Sequence, residues 1–122
     1  MNKLCVVIVT LAFGLPPALV AALDNPDAAF YKKAAEGGIA DVELGKLAQE
    51  KSPTQSVKDF GAMMVTGHSA ANDKLKPIAE RKGINLPSSP SVGQMATKTK
   101  LEVLSGDTFD KSYIKGMVVD AR

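Results

Sequence analysis

Cysteine occurs once, at Cys5, tryptophan is absent, and His68 is the sole histidine of the 122 residues. Cys5 lies in a leader expected to be removed, so the mature chain has no disulfide to form. Its packed core alone must hold the fold, even in an oxidising compartment. No thiol nucleophile remains either. Lys and Arg form no block, and no aromatic ladder accompanies them, which excludes the electrostatic footprint of a nucleic-acid binder. Beyond Leu23 no apolar run is long enough to span a membrane. Aromatic residues make up 5% of the chain. That scarcity suits helix-on-helix packing better than a sandwich or barrel.

What is present begins with a leader. Lys3 gives a positive start, Leu4 to Leu15 is apolar, and Val20-Ala21-Ala22 supplies small residues for cleavage after Ala22. The competing reading is an uncleaved anchor over Leu4 to Leu23. Pro16-Pro17 in the middle of that run and the single flanking lysine favour cleavage. Asn2-Lys3-Leu4 before Cys5 does not form a lipobox. The expected organisation is a signal peptide over residues 1–22 and one helical domain over 23–122, exported to the periplasm or the outer membrane. Without Lys3 the charge balance is 14 basic to 13 acidic residues.

The remainder reads as helices. Asn25-Pro26 suits a helix start, and the first helix is expected to run to about Lys51. Phe30, Ala34, Gly37, Asp41, Leu44 and Ala48 mark its inward row, which places a carboxylate among core positions. Gly37, Gly38 and Gly45 each weaken a helix interior by up to ~1 kcal/mol relative to Ala, and close approach of a neighbouring helix would offset that. Ser52-Pro53-Thr54-Gln55 reads as a capping box opening a second helix, Pro53 to about Lys82, with Pro77 inside it and Gly83 as its stop. The short link between the two implies an antiparallel hairpin. Ile84 to Pro90 is a Pro- and Ser-rich connection with no need of order. Ser91-Val92-Gly93-Gln94 is another capping box, opening a short helix with Val92, Met95, Ala96, Thr99 and Val103 on one side. Asp107 then caps a last helix whose buried pair is Phe109 and Tyr113.

The second helix carries the sharpest feature. Val57, Phe60, Met64, His68, Ala71, Leu75 and Ile78 recur at helical steps, so an imidazole sits on an apolar stripe. Phe60, Met64, Val65, Gly67 and His68 have an echo in Tyr113, Met117, Val118, Asp120 and Ala121, a short internal repeat. Burying Asp41 or His68 alone is expensive, so a hydrogen-bonded pair joining the first two helices, with Asn72 as a further partner, is the economical arrangement. An exposed His68 at the edge of the bundle is the alternative. A third reading takes Asp41, His68 and Asp120, with Glu43 or Asn72 nearby, as carboxylate and imidazole ligands of a weakly bound divalent metal. Di-iron bundles use a Glu-x-x-His motif from each of two helices, and this chain has none. Ser69 points about 100° away from His68 on a helix, so the two do not form a nucleophile and base. Glu36, Glu43 and Glu50 at seven-residue spacing read as a solvated face.

Several blocks in order resemble one family: Phe30 with the run Ala34 to Ala48, then Val57 to His68, Lys82 to Pro87, and Leu104 to Asp120. Together they are similar to the bacterial domain-of-unknown-function 4142 family. The resemblance implies an all-α, ferritin-like antiparallel helical bundle, exported, with no settled activity. Members usually carry an Asp-His pair where this chain has Gly67-His68 and another where it has Asp120-Ala121, and commonly Glu at the place of Asp41. They also continue the last helix and add a further long one, so the chain is expected to be incomplete at the C-terminus. Two functions follow as expectations. One is a non-enzymatic structural or interaction module of the cell envelope, engaging a protein partner or a second copy of itself. The other is metal binding or redox protection through Asp41 and His68.

Overall fold

The computed structural model describes residues 26–121. The leader, its cleavage site and the Asn25 cap lie outside the described residues. Four helices follow in order: α1 (Ala28–Lys51), α2 (Gln55–Arg81), α3 (Val92–Glu102) and α4 (Gly106–Asp120). The described residues contain no strand, so the fold is all-α. No described helix is long and apolar enough to cross a membrane.

α1 and α2 form an antiparallel hairpin whose register is set by small residues. Gly45 meets Gly61, Asp41 meets His68, and Gly38 meets Asn72, so the numbers fall on one helix as they rise on the other. At the Gly45–Gly61 crossing the backbones nearly touch: a Cβ added to either glycine would lie 2.6 Å from the other's carbonyl oxygen. The expected return on Gly38 and Gly45 is therefore present. Gly37 faces open space and belongs to no such contact.

The inward row of α1 is rotated from the sequence pattern in its first half. Phe30 is 69% exposed and Ala34 is also exposed, while Ala35, Gly38 and Ala40 are buried; Leu44 and Ala48 are buried as expected. Glycine and alanine are too weakly hydrophobic for periodicity to fix a face over that stretch. On α2 the seam against α1 runs through Gly61 and His68 to Asn72, and the larger residues Phe60 and Met64 flank it, half-buried.

The link between the helices differs from the expected capping box. Ser52 is buried and ends α1; its Oγ accepts from the Thr54 N–H at 3.0 Å, forming a local turn, and α2 begins only at Gln55. Pro53 removes a donor there, so the hydroxyl serves the next free amide. Pro77 stays within α2. Gly83, at φ 69°, ends that helix, and the Ile84 N–H returns to the Ala79 carbonyl at 2.9 Å. The left-handed backbone favours glycine at that position. Ile84 and Pro90 are buried, so the Pro-rich connection is packed down at both ends.

α3 opens with the capping box expected: Ser91 Oγ accepts from the Gln94 N–H, and Gln94 Oε1 accepts from the Ser91 N–H. Its apolar side does not face inward. Val92 and Val103 are about four-fifths exposed, Met95, Ala96 and Thr99 are exposed, and Leu101 on the opposite side is the residue buried. Asp107 does not cap α4 as expected: the helix starts one residue earlier, at Gly106, Ser105 holds the N-cap position without a side-chain capping bond, and Asp107 lies in the first turn, paired to Lys111 at 2.8 Å. Phe109 and Tyr113 are fully buried and stack 6.0 Å apart. The core they enter contains Leu44, Leu47, Ala48, Leu101 and Met117, packed by Val57, Phe60, Met64 and Leu104. The two halves of the internal repeat thus meet: Phe60 contacts Tyr113 edge-on at 6.1 Å, and Met64 shares the core with Met117.

Candidate functional site

Asp41 stands midway along α1, four residues before Gly45, and His68 stands seven residues beyond Gly61 on α2. The glycine crossing brings the helices close enough for His68 Nε2 to lie 3.3 Å from Asp41 Oδ2. The two side chains meet as expected from the sequence, but as an open contact and not as the buried hydrogen-bonded pair expected. The His68 side chain keeps 36% of its exposure and Asp41 keeps 20%. Asn72, the expected further partner, lies over Gly38, where its amide fills the space a Cβ would need.

Asp120, the last residue of α4, joins Asp41 on a cavity of about 500 Å³. Leu44 from α1 and Ser91, Gln94 and Thr97 from the start of α3 complete much of its wall. Burial pushes the Asp41 carboxyl above its ordinary 3.8; His68 draws it down, and the Asp120 charge pushes it up again. Tyr113 borders the same charge. Its phenol is pushed up to about 12, first by burial and then by Asp41, and its hydroxyl is buried without a hydrogen-bond partner. Glu43 leaves this group altogether: it pairs with Lys98 at 3.3 Å and fastens α1 to α3.

Of the three candidate ligands, Asp41 contacts His68, and Asp120 shares the Asp41 cavity. Among the described residues no group of three or more His, Cys, Asp or Glu side chains stands close enough to hold a metal ion. What the arrangement offers is one carboxylate between an imidazole and a second carboxylate, in a polar hollow open to solvent.

Sequence reasoning missed a second polar contact. Thr54 Oγ1 donates to Asp110 Oδ2 at 2.6 Å, joining the α1–α2 link to α4, while Asp110 Oδ1 is buried without a partner. Asp110 follows Phe109 on the helix and so points about 100° away from it, and nothing local signals either its burial or its threonine partner 56 positions earlier. Lys98 was equally silent, one lysine among many.

The family model described as Domain of unknown function (DUF4142) matches residues 14–122. No curated protein and no solved structure matches the chain.

Proposed function

The chain belongs to the DUF4142 family, and we propose that it serves as an exported, non-enzymatic structural or interaction module of the cell envelope, on a ferritin-like bundle. The observation that carries this reading is the apolar surface at helical spacing: Val92 and Met95 on α3 with Val103 just past its end, and Ile114 and Val118 on α4, all exposed. Scattered exposed apolar residues are ordinary, but rows along a helix mark a surface that another apolar surface covers. Export is supported by Lys3, the apolar run to Leu15 and the small residues before Leu23.

Two measurements test the proposal. Residues 1–30 fused to a reporter active only outside the cytoplasm should give activity, and the processed chain should begin at Leu23. Light scattering of the mature chain should report association that Val103→Glu or Val118→Glu weakens. A strictly monomeric chain that binds no apolar dye would refute the interaction reading. A silent reporter would refute export.

A further inference from the structure

We propose that the hollow between the α1–α2 hairpin and the connection of residues 84–90 binds a compact monocarboxylate with an apolar, ring-sized body, its acid group held by Lys76. The hollow measures about 400 Å³. Small-molecule sites span ~300–1,000 Å³ and are mostly apolar, with a few polar groups that fix the ligand. Here Ala35 and Ile39 from α1, Leu75 from α2, and Leu86 and Pro87 from the connection form the apolar wall. The connection can serve as a wall because Ile84 and Pro90 are buried at its two ends. None of the exposed apolar residues of α3 and α4 lines the hollow, so the site stands independently of the envelope role.

Charge and length select the occupant. Lys76 is the one charged residue among those lining the hollow, so the site favours an anion of single charge. Its ammonium stands at the rim: the side chain is 68% exposed, and its contact with Asp73, itself 77% exposed, is long at 3.7 Å. Exposed pairs of this kind contribute little, so the ammonium is readily given up to another acceptor, while the lysine stem covers apolar surface. Asn72 and Ser88 also line the hollow, and neither side chain is engaged in a hydrogen bond among the described residues. An amide and a hydroxyl are thus left for the second carboxylate oxygen. Along the helices the lining runs from Ala35 to Ile39 and from Asn72 to Lys76, about one turn or ~6 Å in each case. A ring with a short acid arm fits that length, and an extended long acyl chain does not.

The test is a backbone NMR titration of the full mature chain with phenylpropionate, neutral phenylpropanamide and cationic phenylpropylamine. Phenylpropionate should shift the signals of residues 35–39, 72–76 and 86–88, with a Kd on the order of 1 mM, as suits a ligand of that size. It should bind about threefold to fivefold more tightly than phenylpropanamide, the range of one exposed charge contact, and the amine should bind more weakly still. Lys76→Gln should abolish the preference for the acid, and Asp73→Asn, which frees Lys76, should strengthen acid binding about twofold. Both positions are exposed, so neither exchange threatens the fold. No shift at these residues by about 10 mM phenylpropionate, equal binding of the three compounds, an undiminished preference in Lys76→Gln, or shifts concentrated on Val92, Met95 and Val118 would each overturn the site.

Discussion

Replacing Gly45 by alanine separates two opposed effects on one residue. In a helix interior the exchange gains up to ~1 kcal/mol from backbone entropy. Against it stands the Gly61 carbonyl oxygen, 2.6 Å from the new Cβ, with Val65 Cγ2 at 3.0 Å. A backbone carbonyl inside a helix has no rotamer to escape into, so the hairpin must separate by several tenths of an ångström along its seam. Overpacking of this kind costs about 1–3 kcal/mol, and more where the backbone itself must move. The net expectation is a loss of about 1–2 kcal/mol, the packing cost exceeding the propensity gain. For a domain of about 100 residues each kcal/mol lowers Tm by roughly 4–8 °C. Gly37→Ala provides the internal standard, since nothing lies within 4 Å of its added Cβ; it should raise Tm. Gly38→Ala should fall between them, because it meets only the end of the Asn72 side chain. Thermal or urea unfolding of the three variants decides the matter. If Gly45→Ala melts as high as Gly37→Ala, the helices do not touch where described.

Thr54→Val strands the buried Asp110 carboxylate and should destabilise by about 1.5–3 kcal/mol, read by urea unfolding. Tyr113→Phe removes a buried hydroxyl that has no partner, so stability should hold or rise; a clear fall in Tm would show that the hydroxyl is hydrogen-bonded after all. The raised pKa of Asp41 means that the folded chain binds its proton more readily than the unfolded chain. Its ionised form is therefore destabilising above the folded pKa, and that penalty disappears as pH falls through this value towards 3.8. Stability of the wild type relative to Asp41→Asn should accordingly increase on acidification, as followed by denaturation across pH. Fe(II), Mn(II) or Zn(II) should leave Tm unchanged, since no three ligands converge among the described residues; a shift abolished by His68→Ala would reverse that.

Legibility in the sequence followed residue size and distance along the chain. Phe109, Tyr113 and the hairpin could be read because large side chains and a short link leave few alternatives. The Asp41–His68 pair could be read because two polar residues fell on inward rows of neighbouring helices. The first half of α1 was misread where Gly and Ala dominate, since a period needs contrast between faces. The apolar row of α3 was sound as a pattern and wrong as a direction: Val92, Met95 and Val103 do share a side, but Leu101 opposite them reaches the core. Periodicity identifies a face, and only the neighbours decide whether it turns inward. Links such as Thr54 to Asp110 and Glu43 to Lys98 have no local signature at all.

The attachment of α3 carries its own consequence. Leu101 in the core and the Glu43–Lys98 contact tie α3 to its neighbours, whereas the hairpin brings backbone against backbone at the Gly45–Gly61 crossing. Dissolved ions screen the Glu43–Lys98 pair and leave the buried leucine and the glycine crossing intact. High ionic strength therefore loosens the Glu43–Lys98 link while Leu101 and the glycine crossing stay in place, so salt tests how much of the α3 attachment is electrostatic.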